Sequence, residues 1–203
     1  MNKAIHWLGH SGIKITGDKT IYVDPYQIYG GEKADLILIT HDHYDHLSMD
    51  DIEKISGEGT TMVLPASCNT RFEGTVKSIS PGESITVQGV EIQAVPAYNI
   101  GKAFHPKEKD YVGYIFSTGG VKYYHAGDTD HIPEMKDINV DVAFLPVGGT
   151  YTMTAEEAAQ AAADIGPKLA IPIHWGSIVG SLSNAEKFQS LCSCQVDIPE
   201  REG

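Results

Sequence analysis

The run Thr40-His41-Asp42-His43-Tyr44-Asp45-His46 follows directly on the apolar stretch Leu36-Ile37-Leu38-Ile39. It constrains this chain more than any other feature. A short aliphatic run bounded by polar residues reads as a buried strand. Three imidazoles and two carboxylates then crowd one strand end, and burying them without an ion would require many hydrogen-bond partners. A neutral imidazole offers one ring nitrogen to a metal, and a carboxylate adds neutralising charge. His41 and His43 stand two residues apart, so in extended chain they can point the same way. Asp45 and His46 turn over the strand end, where they can serve a second ion.

The rest of the chain alternates strand and turn signals. Strands are expected over 4–8, 12–16, 20–23, 36–40, 61–64, 76–79, 84–87 and 90–96. A short helix is expected over 48–55, with Ser48 as N-cap and Asp50 and Asp51 in its first turn. In the second half, strands over 111–117 and 121–125 flank Thr118-Gly119-Gly120, a hairpin signal. A buried strand follows over 141–146. Thr154-Ala155-Glu156-Glu157 is a capping box opening an alanine-rich helix to Ile165, stopped by Gly166-Pro167. One more strand, over 169–173, ends at His174. Two stretches of strands, each followed by helix, predict two packed sheets with helices outside them. The 203 residues are read as one domain, 1–203.

The formal net charge is −12, from 27 acidic and 15 basic residues. That disfavours attraction to a phosphate backbone and argues against a nuclease of long nucleic acid. A small anionic substrate stays compatible, because metal ions would dominate the local field. Cys68, Cys192 and Cys194 form no disulfide framework, which fits a reducing cytoplasm. No window approaches a membrane span. The chain therefore reads as a soluble, cytoplasmic protein with neither membrane nor nucleic acid among its partners; its oligomeric state is left open.

Further motifs extend the metal cluster. Gly127-Asp128-Thr129 places an acid in a turn after a strand, and Pro172-Ile173-His174 places a histidine at another strand end. Ligands converging from several strand ends suit a preorganised site. With Trp7-Leu8-Gly9-His10-Ser11, Val23-Asp24-Pro25 and Thr152-Met153, these runs occur in an order that resembles the metallo-β-lactamase superfamily. They look closest to its small stand-alone hydrolases, the ascorbate-6-phosphate lactonase-like and N-acyl-phosphatidylethanolamine phospholipase D-like proteins. The resemblance covers essentially the whole chain. It implies an α+β fold, an αβ/βα four-layer sandwich of two mixed sheets flanked by helices, with a metal site at one sheet edge. It also implies a hydrolase using a metal-activated hydroxide on a small ester, lactone or phosphodiester. Carried over residue by residue, His41 and His43 bind a first metal, Asp45, His46 and His174 a second, and Asp128 bridges them. Asp45 and Asp128 are the catalytic carboxylates, and Asp24 orients a ligand histidine. Two zinc ions are the leading cofactor, with manganese or iron as alternatives.

One position departs from the pattern. A further first-metal histidine is expected after the strand ending near Pro96, where Asn99 stands instead. Its amide oxygen is a weak, neutral ligand for zinc. His105, six residues on and beyond the permissive Gly101, can supply the missing imidazole. Otherwise the first metal is weakly held, and Lys102, Lys107 and Lys109 become candidate contacts for an anionic substrate. His10 and Tyr151 are further candidates to touch the ligands or the substrate. Two alternatives to a hydrolase remain: a metal-binding protein with a degenerate first site and little turnover, and a di-iron redox protein. The second of these usually carries a flavin domain, for which this chain has no room.

Overall fold

The computed structural model describes residues 4–202; residues 1–3 and 203 lie outside the described residues. Two mixed sheets face each other. The first runs in order β1 (Ile5–Gly9), β2 (Gly12–Ile15), β3 (Ile21–Val23), β4 (Leu36–Leu38), β5 (Thr61–Pro65) and β6 (Thr75–Ile79). It is antiparallel from β1 to β3 and parallel from β3 to β6. The second sheet holds β7 (Ser84–Val87), β8 (Val90–Pro96), β9 (Val112–Thr118), β10 (Val121–His125), β11 (Val142–Pro146), β12 (Leu169–Ile173) and β13 (Gln195–Val196). It repeats the scheme: antiparallel from β7 to β10, parallel from β10 to β13.

Alternation along the strands builds the layers. On β4, Leu36 and Leu38 join the core shared by both sheets, while Ile37 points the other way with Ile39 just beyond it. Ile37 and Ile39 instead meet Ile52 and Ile55 of α1 (Met49–Ile55). Strand β5 repeats this, with Val63 inward and Met62 and Leu64 outward. Helices α2 (Ala155–Ile165) and α3 (Leu182–Leu191) cover the second sheet through Ala158, Ala161, Ala162, Ala185 and Phe188. The order helix, sheet, sheet, helices is the αβ/βα sandwich that the sequence motifs imply.

Local signals account for most boundaries. Thr154 Oγ1 accepts from Glu157 N at 3.2 Å and Glu157 Oε2 accepts from Thr154 N at 2.7 Å, a complete capping box. Gly166 ends α2 in the left-handed region. Gly119 and Gly120 both take positive φ, which a two-residue hairpin turn requires. Two expectations are corrected. Strand β4 stops at Leu38 rather than residue 40, because Thr40 N donates to the Asp24 carboxylate instead of a neighbouring strand. Ser48 flanks α1 but its hydroxyl caps nothing; it donates to Asp51 Oδ2, whose carboxylate also accepts from Gln27 N and Ile28 N. Helix α3 was not expected, since only Ala185 and Phe188 are buried and Leu182 and Leu191 stay exposed, leaving a weak apolar period. No helix among the described residues is long and apolar enough to cross a membrane.

Strands β9 and β10 approach closely at Gly113, where an added Cβ would lie 2.8 Å from the His125 carbonyl and 2.9 Å from the Ala126 carbonyl. Backbone atoms cannot move aside, so Gly113→Ala should lower stability by about 1–3 kcal/mol. Equilibrium urea unfolding checks this.

Candidate metal centre

Loops at one edge of the paired sheets carry the titratable residues. His41, His43, Asp45 and His46 occupy the β4–α1 connection, and Asn99 and His105 the β8–β9 connection. Asp128 follows β10, His174 follows β12, His10 sits in the β1–β2 turn and Asp24 follows β3. His10, Asp24 and His174 all have positive φ (51°, 45° and 58°). Such backbone is uncommon for non-glycine residues and is retained where the surroundings over-determine it. Here the surroundings include two stacked indoles, Trp7 on Trp175, at 4.4 Å between centroids. Trp7 Nε1 and His174 N both donate to the His10 carbonyl, at 2.9 and 2.8 Å, which ties the two histidine-bearing turns together.

Hydrogen bonds at the back of each ring decide which nitrogen faces the cluster. Asp24 is fully buried and accepts from Thr40 N (2.8 Å), Thr40 Oγ1 (2.6 Å) and His46 Nδ1 (2.7 Å). Thr40 spends its single hydroxyl proton on Asp24, so at 2.9 Å it accepts from His41 Nδ1–H. His105 Nδ1 donates to Asn99 Oδ1 at 3.0 Å, and the same oxygen accepts His105 N. Asn99 Nδ2 donates to Asp130 Oδ1 and the Tyr151 carbonyl. The Nε2 atoms of His41, His46 and His105 are thereby turned inward.

Two groups of side chains that could hold a metal ion result. His41 Nε2 and His105 Nε2 lie 3.1 and 3.2 Å from His43 Nδ1. Nitrogens about 2.0–2.1 Å from one tetrahedral ion stand roughly 3.3–3.4 Å apart. Asp45, His46 and His174 form the other set, with His10 beside them. His10 Nε2 holds Asp45 Oδ2 at 3.0 Å, and that oxygen is 3.6 Å from His46 Nε2. Asp128 lies between the sets. Its Oδ2 is 3.0 Å from His174 Nε2, 3.3 Å from His105 Nε2 and 4.0 Å from His41 Nε2; its Oδ1 is 3.4 Å from His46 Nε2.

The protein atoms alone leave this cluster unsatisfied. His46 Nε2 and Asp128 Oδ1 are buried without a hydrogen-bond partner. With Nδ1–H fixed on His41 and His105, two lone pairs converge on His43 Nδ1, which has at most one proton to give. Divalent cations would satisfy those atoms, and nitrogen-rich donors with carboxylates suit zinc, manganese or iron.

Burial and neighbouring charge set the protonation pattern. Burial, aided by the His46 charge, pushes His41 well below the usual imidazole range. Burial also opposes charge on His46, but the Asp128 and Asp24 carboxylates outweigh it and hold that imidazole well above its usual range. Burial would raise Asp128, yet His174 and His46 hold it well below the usual carboxylate range. Asp45 is lowered: the hydrogen bond from His10 and the charge on His46 outweigh its burial.

Other sequence candidates fall outside the cluster. Asn99 buttresses His105 rather than facing the inward nitrogens, and Tyr151 offers its carbonyl to Asn99 and its ring to Phe104. Near Tyr151, the amides Thr154 N and Glu157 N at the start of α2 are already used by the capping box. Lys102 donates to Asp130 Oδ1 (2.5 Å) and the Thr152 carbonyl, and Lys107 pairs with Glu134 over the Tyr98 ring. Two further histidines are engaged elsewhere: His131 pairs with Asp164, and His125 donates to the Ser11 carbonyl. The sequence reading missed Thr40, Asp130 and Tyr111, whose hydroxyl donates to Asp42 at 2.6 Å. For Thr40 and Asp130 the signal was adjacency: Thr40 precedes His41, and Asp130 follows Gly127-Asp128-Thr129; Tyr111 carried none. A cavity of about 420 Å³ opens over the cluster, lined in part by His43, Asp45, His105, Asp128 and His174. A groove of about 370 Å³ across β7, β8 and β9 has no comparable group of metal-ligating side chains.

This fold and site define a class. Residues 4–174 match the β-lactamase superfamily domain, and the chain belongs to that superfamily, in its metal-dependent branch. It is 35% identical to a UPF0173 metal-dependent hydrolase of Thermoplasma acidophilum, over 99% of this chain and 97% of that one. The crystal structure of a putative metal-dependent hydrolase from Parabacteroides distasonis is 34% identical, with a TM-score of 0.83 over 98% of this chain and 93% of that one. Igni18, a metallo hydrolase from Ignicoccus hospitalis, shares the fold at 23% identity and a TM-score of 0.79, over 98% and 95% of the two chains.

Two outcomes test the local geometry. At pH 7 metal-stripped protein should release protons when zinc is added, because His46 carries a proton that a cation must displace while His41 carries none. For the same reason zinc affinity should fall as pH falls. Asp24→Asn removes one carboxylate that keeps His46 charged, so fewer protons should appear in a weakly buffered titration. Separately, His105→Ala should remove one metal equivalent by elemental analysis. Asn99→Ala should retain that metal with affinity reduced about 10–100-fold, the usual cost of losing a partner behind a ligand.

Proposed function

We propose that this chain is a metal-dependent hydrolase acting on a small ester, lactone or phosphodiester. His41, His43 and His105 would hold one divalent ion, and Asp45, His46 and His174 a second, with Asp128 shared. The observation carrying this reading is the Asp128 carboxylate, within 3.0–3.4 Å of imidazole nitrogens from both sets. Zinc is the first choice of metal, since the set around His43 offers three nitrogens in near-tetrahedral spacing. The imidazole of His105 supports a complete first set over a degenerate one. The relatives' names, metal-dependent hydrolases, support the same class.

Bound there, the ions supply Lewis acidity, lowering the pKa of water and polarising a carbonyl or phosphoryl oxygen. The chain's own groups do the rest. Asp128 is held ionised and, lying between the two sets, would orient a water there and could take its proton. Asp45, kept anionic by His10, is a second acceptor at the cavity wall. Asp24, Thr40 and Asn99 keep three imidazoles from rotating, so the site is organised before substrate arrives. The 420 Å³ cavity suits a small molecule, and the net charge of −12 gives a polynucleotide no electrostatic foothold.

Chelation should abolish hydrolysis of an activated ester or diester, and zinc or manganese should restore it. Asp128→Asn should cut kcat about 10²-fold or more and lower metal content, and His174→Ala should lower metal content as well. Full activity in metal-free protein, or unchanged metal content in both variants, would refute the assignment.

A further inference from the structure

The walls of the cavity differ in character from its base. Eight large apolar side chains are exposed among the described residues, and three of them, Tyr44, Phe104 and Ile178, line this one cavity. Their exposures are 67%, 46% and 38%. Exposed apolar side chains gathered around polar catalytic groups mark a ligand-binding surface. Phe104 is not loosely placed: its ring stands edge-on to Tyr151, which also lines the cavity, at 4.7 Å between centroids and 89°.

Asp42, Asp45 and Asp128 line the cavity, and among the described residues no lysine or arginine does. The nearby cations are engaged elsewhere: Lys102 is bound by Asp130 and the Thr152 carbonyl, Lys107 by Glu134. Sites that hold a phosphoryl group ordinarily supplement their ions with arginine or lysine donors, which meet the remaining anionic oxygens. Asp45 and Asp128 face the ions in the proposed site, so beyond the ions the walls offer an anionic oxygen no basic side chain, while the exposed apolar groups reward a substrate that buries hydrocarbon.

We infer that the substrate is an uncharged carboxylic ester or lactone bearing an apolar group, which lies against Phe104 and Ile178 while its acyl carbon faces Asp128. The inference rests on the hydrolase reading above and narrows it to one bond class. In the reaction the oxygen of water bonds to the acyl carbon, the acyl C–O bond breaks, and one proton from the water reaches the departing alkoxide. The products are a carboxylic acid and an alcohol, so no further reactant is required.

The zinc-loaded protein can be assayed with p-nitrophenyl acetate, butyrate and octanoate and with bis(p-nitrophenyl) phosphate, each rate taken relative to the uncatalysed one. The expected result is kcat/KM rising about two- to fourfold per methylene from acetate to butyrate, with the diester accelerated least. The double variant Phe104→Ala, Ile178→Ala should flatten that series. A readout independent of turnover is calorimetric binding of octanamide, an uncharged apolar analogue. It should show a negative heat-capacity change and weaken about tenfold in the double variant. Rates independent of chain length, or greater acceleration of the diester, overturn the inference and leave the hydrolase reading standing. If zinc-loaded protein hydrolyses none of the four, the hydrolase reading fails and the inference falls with it.

Discussion

Asp24 is the contact on which the site depends. Its carboxylate is wholly buried and accepts three hydrogen bonds: two from Thr40, one from His46. The bond to Thr40 N ends the fourth strand, and the bond to Thr40 Oγ1 commits that hydroxyl's only proton. Thr40 can then only accept from His41, which leaves His41 Nε2 facing inward. The bond to His46 fixes a second imidazole by the same logic. One carboxylate at the end of the third strand thus determines both where the neighbouring strand stops and how two ring nitrogens are presented. A buried charge of this kind is tolerable because every oxygen is met by a donor.

Asp128 plays the complementary part at the front of the rings. Imidazoles from three loops surround it, and the charges of His174 and His46 hold it ionised against burial. The same attraction holds His46 charged. The protein balances these groups only partly, leaving His46 Nε2 and Asp128 Oδ1 without a hydrogen bond although they lie 3.4 Å apart. Such local conflict between burial and polarity is characteristic of functional sites, where structure is retained for chemistry rather than stability. The positive φ angles at His10, Asp24 and His174 belong to the same pattern.

Much of this was readable from residue order, for identifiable reasons. The capping box of the second helix and the Gly119-Gly120 hairpin are local in sequence, and local rules predicted both. The apolar run 36–39 announced a buried strand, although its last residue was misjudged because the Asp24 side chain competes for Thr40 N. The third helix escaped notice since two buried residues make no readable period. Among site residues, His41, His43 and His46 are neighbours, so their convergence was visible. The roles of Thr40, Asp130 and Tyr111 were not, because each acts through a hydrogen bond whose partner or consequence lies outside its own motif.

The sequence by itself determined two packed sheets with helices outside them and the donor types, since strand periodicity and a histidine cluster at a strand end are properties of consecutive residues; the four-layer order came from the family resemblance. Only the tertiary structure decided how Asn99 and His105 divide their work. They are six residues apart, and either could have faced His43. The amide of Asn99 is drawn backward by Asp130 and the Tyr151 carbonyl, and its oxygen takes both His105 N and His105 Nδ1–H. That leaves His105 Nε2 as the nitrogen beside His43. The physical reason is that donors and acceptors must be matched all at once in a buried site, and those partners come from loops 31 to 62 residues away in the chain.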